Sequence, residues 1–373
     1  MILAGGNTEM AKAATQDTNV MDNIPYYDKW QEGEGIPITK TFVVQDLKKV
    51  ELKVWDRIGG NGAFINMEGA EGATGAYVCE IPAGKNLNPQ RHLYENMIYV
   101  LKGRGATSLW NDRGAKQTFE WQEGSLFALP LNAWYQHFNG QGNEPARLFS
   151  VNSMPIVFNL FHNEDFIFNT PRDFMDRFDG DPEYFSGKGK AHPGRVWDTN
   201  FIADARNFKL EDWKERGAAG KNVMLEMANG SMAAHISEFP VGTYKKAHRH
   251  GPGFNVMIIK GHGFSLFWRE GEQPKRYDWQ DGSVFTPPAM MFHQHFNTGA
   301  TGARYLPPRL GGIKYSLGES FGDITKVDKD VKAGGNQIEY YDEDPQIRKM
   351  FEEELAKSGT TSRMNPDFYK KPA

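Results

Sequence analysis

Cysteine is almost absent from this 373-residue chain. Cys79 stands alone, which excludes an internal disulfide framework and leans towards a reducing compartment. An excess of positive charge is also missing: 43 Lys and Arg face 47 Asp and Glu, a net charge of -4. That balance carries no electrostatic footprint for nucleic acid or an anionic membrane. No apolar run approaches the ~18 residues of a membrane-spanning helix. The opening MILAGGNTEM lacks the basic leader and long apolar stretch of a secretion signal. The expectation is a cytoplasmic protein that works on small molecules, with neither nucleic acid nor membrane as a partner.

Aromatic residues, by contrast, are plentiful: 25 Phe, 14 Tyr and 9 Trp make up 13% of the chain, within a hydrophobic content of 39%. This is material for large cores or aromatic-lined pockets, and the length suits two domains. An internal repeat shows how they are arranged. Glu80-Ile-Pro-Ala-Gly84 recurs as Glu238-Phe-Pro-Val-Gly242, an offset of 158 residues. The same offset carries His92 onto His250, Lys102-Gly103 onto Lys260-Gly261, Trp110 onto Trp268 and Trp121 onto Trp279. Further along it carries Gly124-Ser125 onto Gly282-Ser283, Pro130 onto Pro288, and Gln136-His-Phe-Asn139 onto Gln294-His-Phe-Asn297. No gap is needed, so this is a duplicated domain.

Each copy reads as strands. Ala76 to Ile81 alternates with the period of a half-buried strand, and Met97–Leu101 and Val256–Ile259 are short apolar runs. Lys-Gly-x-Gly follows each run (Lys102 to Gly105, Lys260 to Gly263), which suggests a hairpin. The Gly-x-Gly lacks a third glycine and joins two strands, so it is a weak dinucleotide motif. Short strands with glycine turns predict an antiparallel sandwich or barrel. Residues 156–197 read as an irregular connection with a short helix over Asp173–Asp179. Asp344–Lys357 reads as a helix with Pro345 in its first turn and Gly359 beyond its end, and the last dozen residues as loosely held.

In the second copy Gly242 is followed after five residues by His248-Arg249-His250, with Gly261 beyond; Gly282, Pro288, His293 and Asn297 come next. These residues resemble the two motifs of the cupin family, and the pair of copies, roughly two-thirds of the chain, is similar to the bicupins. The resemblance implies an all-β fold of two tandem cupin barrels of the double-stranded β-helix, or jelly-roll, type, over 40–155 and 198–320. A linker of 156–197 would join them, and a helical tail of 321–373 would follow. It also implies one divalent metal ion held by His248, His250 and His293, with iron(II) the first expectation and manganese, nickel, copper and zinc the alternatives. Strand geometry agrees, because residues two apart share a face, so His248 and His250 point together while Arg249 points away. Neutral imidazole suits these metals.

The copies differ where chemistry would sit. The family's glutamate position falls at or near Phe254, so the ligand set should be three neutral histidines with open positions for substrate or oxygen. In the first copy Gln90 stands for His248 and Tyr135 for His293; only His92 remains, with Glu95 close by. That barrel should be metal-free and serve packing, dimer formation or the completion of a pocket. His137 and His295 are equivalent, which favours a structural role; the functional alternative makes His295 a proton shuttle or a hydrogen-bonding support beside the metal. Phe254, Trp268 and Phe292, with Met290 and Tyr305, are candidates to line a substrate pocket, against the plainer reading of core aromatics. Arg304 is a candidate partner for a substrate carboxylate. Arg249, Lys245 and Lys246 flank the ligands and read as solvated or interface residues.

The site chemistry resembles that of three-histidine gentisate and salicylate dioxygenases, although in that family the working site lies in the N-terminal barrel. The resemblance implies an iron(II) dioxygenase taking O2 and a small, hydroxylated aromatic acid, in a homo-oligomer. Metal-dependent decarboxylation or isomerisation is the alternative enzyme class. Oxalate decarboxylases are also bicupins, but their pattern has a glutamate ligand and metal in both barrels. A non-enzymatic small-ligand-binding bicupin is the third reading, against which the intact triad stands.

Overall fold

The computed structural model describes residues 23–318 and 326–371, and in it each copy forms a barrel from one long sheet and one three-stranded sheet. The first barrel's long sheet runs Ile38–Thr41, Gly60–Met67, Gly75–Ile81, Ala146–Asn152, Asn96–Lys102, Leu126–Leu129; its short sheet is Trp134–Asn139, Arg104–Trp110, Lys116–Gln122. In the second, Lys190–His192, Val196–Asp198, Lys221–Glu226, Met232–Phe239, Ala303–Leu306, Val256–Lys260 and Val284–Phe285 form the long sheet. Lys275–Gln280, His262–Trp268 and Phe292–Asn297 form its short one.

The apolar runs of the sequence now have a cause. The two long sheets pack against each other, and one core joins Val78, Met97, Tyr99 and Phe149 to Val223, Leu225, Ile236 and Met257. A strand such as Asn96–Lys102 is therefore buried on both faces and cannot alternate. Lys116–Gln122, with one face in water, does alternate.

Short arms are exchanged between the barrels. Val43-Val44 joins the second barrel's sheet beside Val284-Phe285, and Phe201-Ile202 joins the first barrel's sheet beside Leu126-Phe127. The two arms are themselves 158 residues apart. Each is tied the same way: Ser283 Oγ donates to the Gln45 carbonyl, and Ser125 Oγ to that of Ala203.

Three local expectations are corrected. Lys-Gly-x-Gly is a corner and not a hairpin: Asn96–Lys102 pairs with Ala146–Asn152, while Arg104–Trp110 crosses to the short sheet. Gly103 turns there with φ 89°, and a Cβ on Gly105 would strike the Phe138 carbonyl and the Trp121 ring. Asp173–Asp179 holds a turn and no helix, because Asp173 is drawn to the barrel by the Asp112 amide and Arg91. The connection's helices lie earlier, at Met154–Phe161 with Pro155 in its first turn, and at Glu164–Asn169 capped by Asn163.

The described part of the tail, to residue 371, is docked, contrary to the loosely held last dozen residues expected. The helix Pro345–Lys357, capped by Asp344, buries Ile347, Phe351 and Leu355 on the outer face of the second short sheet, against Phe264, Leu266 and Phe296. Beyond it Arg363 donates its amide to the Gly242 carbonyl, and the Tyr369 hydroxyl meets that of Tyr244 at 3.0 Å.

At the head of this tail Glu343 accepts from Tyr244 Oη and Gln294 Nε2, each at 2.6 Å, and burial pushes its carboxyl up to about 7. An acid raised by folding stays protonated in the native chain while the unfolded chain ionises from about pH 4.5. Stability should therefore fall by on the order of 3 kcal/mol as pH rises from 4.5 to 7, then level off. Glu343→Gln should remove that slope in urea titrations run across the same pH range.

Candidate metal centre

The segment that carries His248 and His250 is an irregular strand held along both edges by isolated pairs. Residues 245–250 run antiparallel to Phe292–Asn297: Lys245 donates its amide to the His295 carbonyl, and His248 and His293 exchange both backbone hydrogen bonds at 3.0 and 2.8 Å. That reciprocal pair sets two histidines opposite each other, with ring centroids 4.1 Å apart. His250, two residues on, brings its ring to 4.6 Å from that of His293. Along the other edge runs the C-terminal segment, Ile338 donating to the Ala247 carbonyl and Arg249 to that of Asn336. All three histidines are buried, and one potential ligand atom from each lies within 4.8 Å of the others.

Hydrogen bonding selects the nitrogen that would bind a metal. His250 Nδ1 lies 2.7 Å from the Gly251 carbonyl and His293 Nδ1 lies 3.0 Å from that of Met291. A carbonyl only accepts, so both Nδ1 atoms carry the proton and both Nε2 lone pairs are left free. His248 Nδ1 is buried with no partner in the protein. Burial holds all three rings below the usual imidazole range, His250 to about 4, so each is neutral at physiological pH, as ligation requires. The donor set fits a divalent first-row ion. Among the described residues this is the one such cluster, and no carboxylate belongs to it. Phe254 fills that side instead, its ring centroid 3.8 Å from that of His250.

The other predicted residues divide sharply. Trp268 and Phe292 are a cross-strand pair on the outer face of the short sheet, stacked 5.8 Å apart, with the Arg249 guanidinium over Phe292; they do not face the ligands. Met290 is 47% exposed and also outside. Arg304 is not a substrate group either. It pairs with Glu238 at 2.7 Å and donates to the carbonyls of Ala205 and Phe208. Arg147 makes the matching contacts with Glu80, Lys48 and Val50 in the first barrel, so both arginines clamp an exchanged arm.

His295 faces the barrel interior, its ring 5.5 Å from that of His293, and its Nδ1 meets Ser265 Oγ, which also accepts from Trp279 Nε1. Thr107, His137 and Trp121 repeat this chain of contacts where no ligands remain. The arrangement is common to both barrels and does not depend on the triad.

In the first barrel the ligand positions bond to one another. His92 Nδ1 donates to the Tyr94 carbonyl and Nε2 meets Tyr135 Oη at 3.1 Å, while Tyr135 Oη reaches Gln90 at 3.4 Å. Glu95 is turned away and accepts from the amides of Ser231 and Met232 in the second barrel.

Several interior groups escaped the sequence reading. Lys245, expected at the surface, is fully buried and donates to Ser237 Oγ and Tyr305 Oη. Between Lys245, paired with His295, and His248, paired with His293, three steps of the segment stand against two of its partner, a bulge that breaks the simple alternation. His235 and Arg309 also face inward; strand alternation from Ser237 and Tyr305 was the available signal. Two open clefts of about 550 and 580 Å³, beside Trp121 and between Trp213 and Phe368, contain none of the histidines.

His248→Ala and His293→Ala should each abolish stoichiometric metal, measured by elemental analysis of purified folded protein. Ser265→Ala and Thr107→Ala should cost similar stability, about 1–3 kcal/mol each, with metal content unchanged. A loss of metal confined to Ser265→Ala would instead make His295 part of the centre.

No protein-family model and no curated protein matches this chain. Among solved structures it is similar to the oxalate decarboxylase of Lactobacillus farciminis in its formate complex, at 14% identity over 74% of this chain and 87% of that one, with a TM-score of 0.50. It is also similar to variants of the Bacillus subtilis oxalate decarboxylase OxdC, for example at 13% identity over 75% and 80% with a TM-score of 0.49. At 14% identity the first likeness is one of fold, and with the sheet topology it gives a chain built as two tandem cupin barrels.

Proposed function

We propose that this protein is a metal-dependent enzyme that cleaves a small organic acid at the His248–His250–His293 centre, with decarboxylation ahead of oxygen insertion. The observation that carries the reading is the convergence of three neutral imidazoles, two with Nδ1 tied to a carbonyl and Nε2 free. The shared architecture with an oxalate decarboxylase supports the order of the two reactions. A bound divalent ion would supply Lewis acidity at a substrate oxygen. The chain's own groups do the rest: Phe254 shields the His250 side from water, and Lys245, its amine held well below the usual lysine range by burial, places a hydrogen-bonding amine inside the barrel. His295 and Lys245 are the interior groups able to pass a proton to carbon after CO2 leaves.

Phe254 favours the second reading. Without a carboxylate ligand the centre keeps more positive charge and another open position, which suits iron(II), O2 and a hydroxylated aromatic acid. One assay separates the readings. Protein loaded anaerobically with Mn(II) or Fe(II) is given oxalate, other dicarboxylates, hydroxybenzoates, 1,3-diketones and flavonols, while CO2 and O2 are followed together. We expect CO2 release without stoichiometric O2 uptake. Equimolar O2 consumption would establish the dioxygenase, and neither gas changing at full metal occupancy would leave a small-ligand-binding bicupin.

A further inference from the structure

The barrel without the three histidines reaches into the one that has them. In the first barrel the turn 68–74 joins the strands Gly60–Met67 and Gly75–Ile81, and it lies against the second barrel. Gly69 packs so closely there that a Cβ on it would stand 1.9 Å from the Thr286 carbonyl oxygen. Glu71 accepts the Ala289 amide at 3.0 Å. Thr74 is buried, donates its hydroxyl to the Gly253 carbonyl at 3.3 Å and accepts from Asn255 Nδ2 at 2.8 Å. Asn255, buried as well, also donates to the Gly253 carbonyl and accepts from Thr286 Oγ1. Gly253 has a φ of 85°, and a Cβ there would stand 3.1 Å from that of Ala73.

The two pieces of the second barrel held in this way, residues 251–255 and 286–291, are the ones that orient histidines. The Gly251 carbonyl holds His250 Nδ1, and the Met291 carbonyl holds His293 Nδ1. The Met290 amide donates to the His250 carbonyl at 2.8 Å, which ties the two pieces together. One turn of the first barrel therefore stands behind both carbonyls that set the imidazoles. A reverse junction supplies an internal control. The 158-residue offset places Glu95 where Gly253 stands and Met232 where Thr74 stands, and Glu95 accepts from the Ser231 and Met232 amides. The loop that Glu95 holds carries His92, whose ring is satisfied within its own barrel.

We propose that Thr74 is a positioning residue for the three-histidine centre, and that the first barrel, through the turn 68–74, is an obligate part of that centre. Thr74 touches no histidine. It acts through residues 251–255, whose first carbonyl keeps the proton of His250 on Nδ1 and leaves Nε2 free. Without the Thr74 hydroxyl the Gly253 carbonyl loses a donor and Asn255 Nδ2 loses its shorter contact, so the loop can carry the Gly251 carbonyl off the ring. Glu71 supports the turn that carries Met291 in the same manner from an exposed position. Partners that fix the ring of a ligand set metal affinity nearly as strongly as the ligand does. The inference rests on reading the triad as a metal site and is independent of the reaction run there.

The test uses the full-length chain stripped of metal. Zn(II) affinity is measured by competition with a chelator for wild type, Thr74→Val, Thr74→Ser and Glu95→Gln, with a thermal midpoint for each and His248→Ala as the background. We expect Thr74→Val, which keeps the shape and removes the hydroxyl, to bind Zn(II) about tenfold or more weakly. Thr74→Ser should return to near the wild-type affinity. Glu95→Gln, which breaks the ion pair with Arg177 at the reverse junction, should lower the midpoint and leave Zn(II) affinity unchanged. Equal affinity in wild type and Thr74→Val would overturn the proposal. So would equal losses in Thr74→Val and Glu95→Gln, which would make the effect one of general stability. Should Thr74→Val fail to fold, the exposed Glu71→Ala decides: weaker Zn(II) binding supports the proposal and unchanged binding overturns it. Wild type binding no Zn(II) above the His248→Ala background would end the metal reading and this inference together, whereas the other failures leave the metal reading standing.

Discussion

Everything particular to the second barrel hangs on one backbone contact, the reciprocal hydrogen-bonded pair between His248 and His293. It fixes the register of an otherwise irregular segment against the short sheet. With that register set, His250 falls beside the same centre. A slip of one residue would turn the imidazoles outward and Arg249 inward, because side chains alternate across a strand. The segment is held from both edges, by Phe292–Asn297 on one side and by Asn336–Ile338 on the other. The docked tail is thus part of what shapes the centre.

The first barrel shows what the same frame becomes without the three histidines. Gln90 and Tyr135 pair across the strands just as His248 and His293 do. Their side chains and His92 satisfy one another, and the interior around them is a continuous aromatic and aliphatic core that includes Tyr77, Tyr94 and Phe127. The second barrel's apolar interior is smaller, and Lys245, His235, Arg309 and the histidines take the remaining space. Duplication gave two equal frames, one filled by an apolar core and the other by buried histidines, Lys245 and Arg309.

The repeat was legible because it is written in glycines, prolines and aromatics that the fold needs twice. Gly105 and Gly263 face a carbonyl and a Trp ring, Trp121 and Trp279 donate to Thr107 and Ser265, and Asn139 and Asn297 cap equivalent turns. The convergence of the three histidines was legible for a similar reason, a local period of two. Lys-Gly-x-Gly was misread because a corner between sheets and a hairpin make the same demand on glycine. Arg304 was misread because a buried arginine clamp and a carboxylate-binding arginine look alike without their partner, Glu238.

By itself, then, the sequence determined the duplication, the strand-rich architecture and the convergence of His248, His250 and His293, since each depends on spacing along the chain. Only the tertiary structure decided which charged residues lie inside. Lys245 turns inward across a one-residue bulge in an irregular strand, and Arg309 does so after two prolines, Pro307 and Pro308, that hide its phase. The exchanged arms were hidden as well, because Val43-Val44 and Phe201-Ile202 share a position and not a composition. A charge reveals its role only through the partner it has or lacks, and partners distant in sequence are brought together by the fold alone.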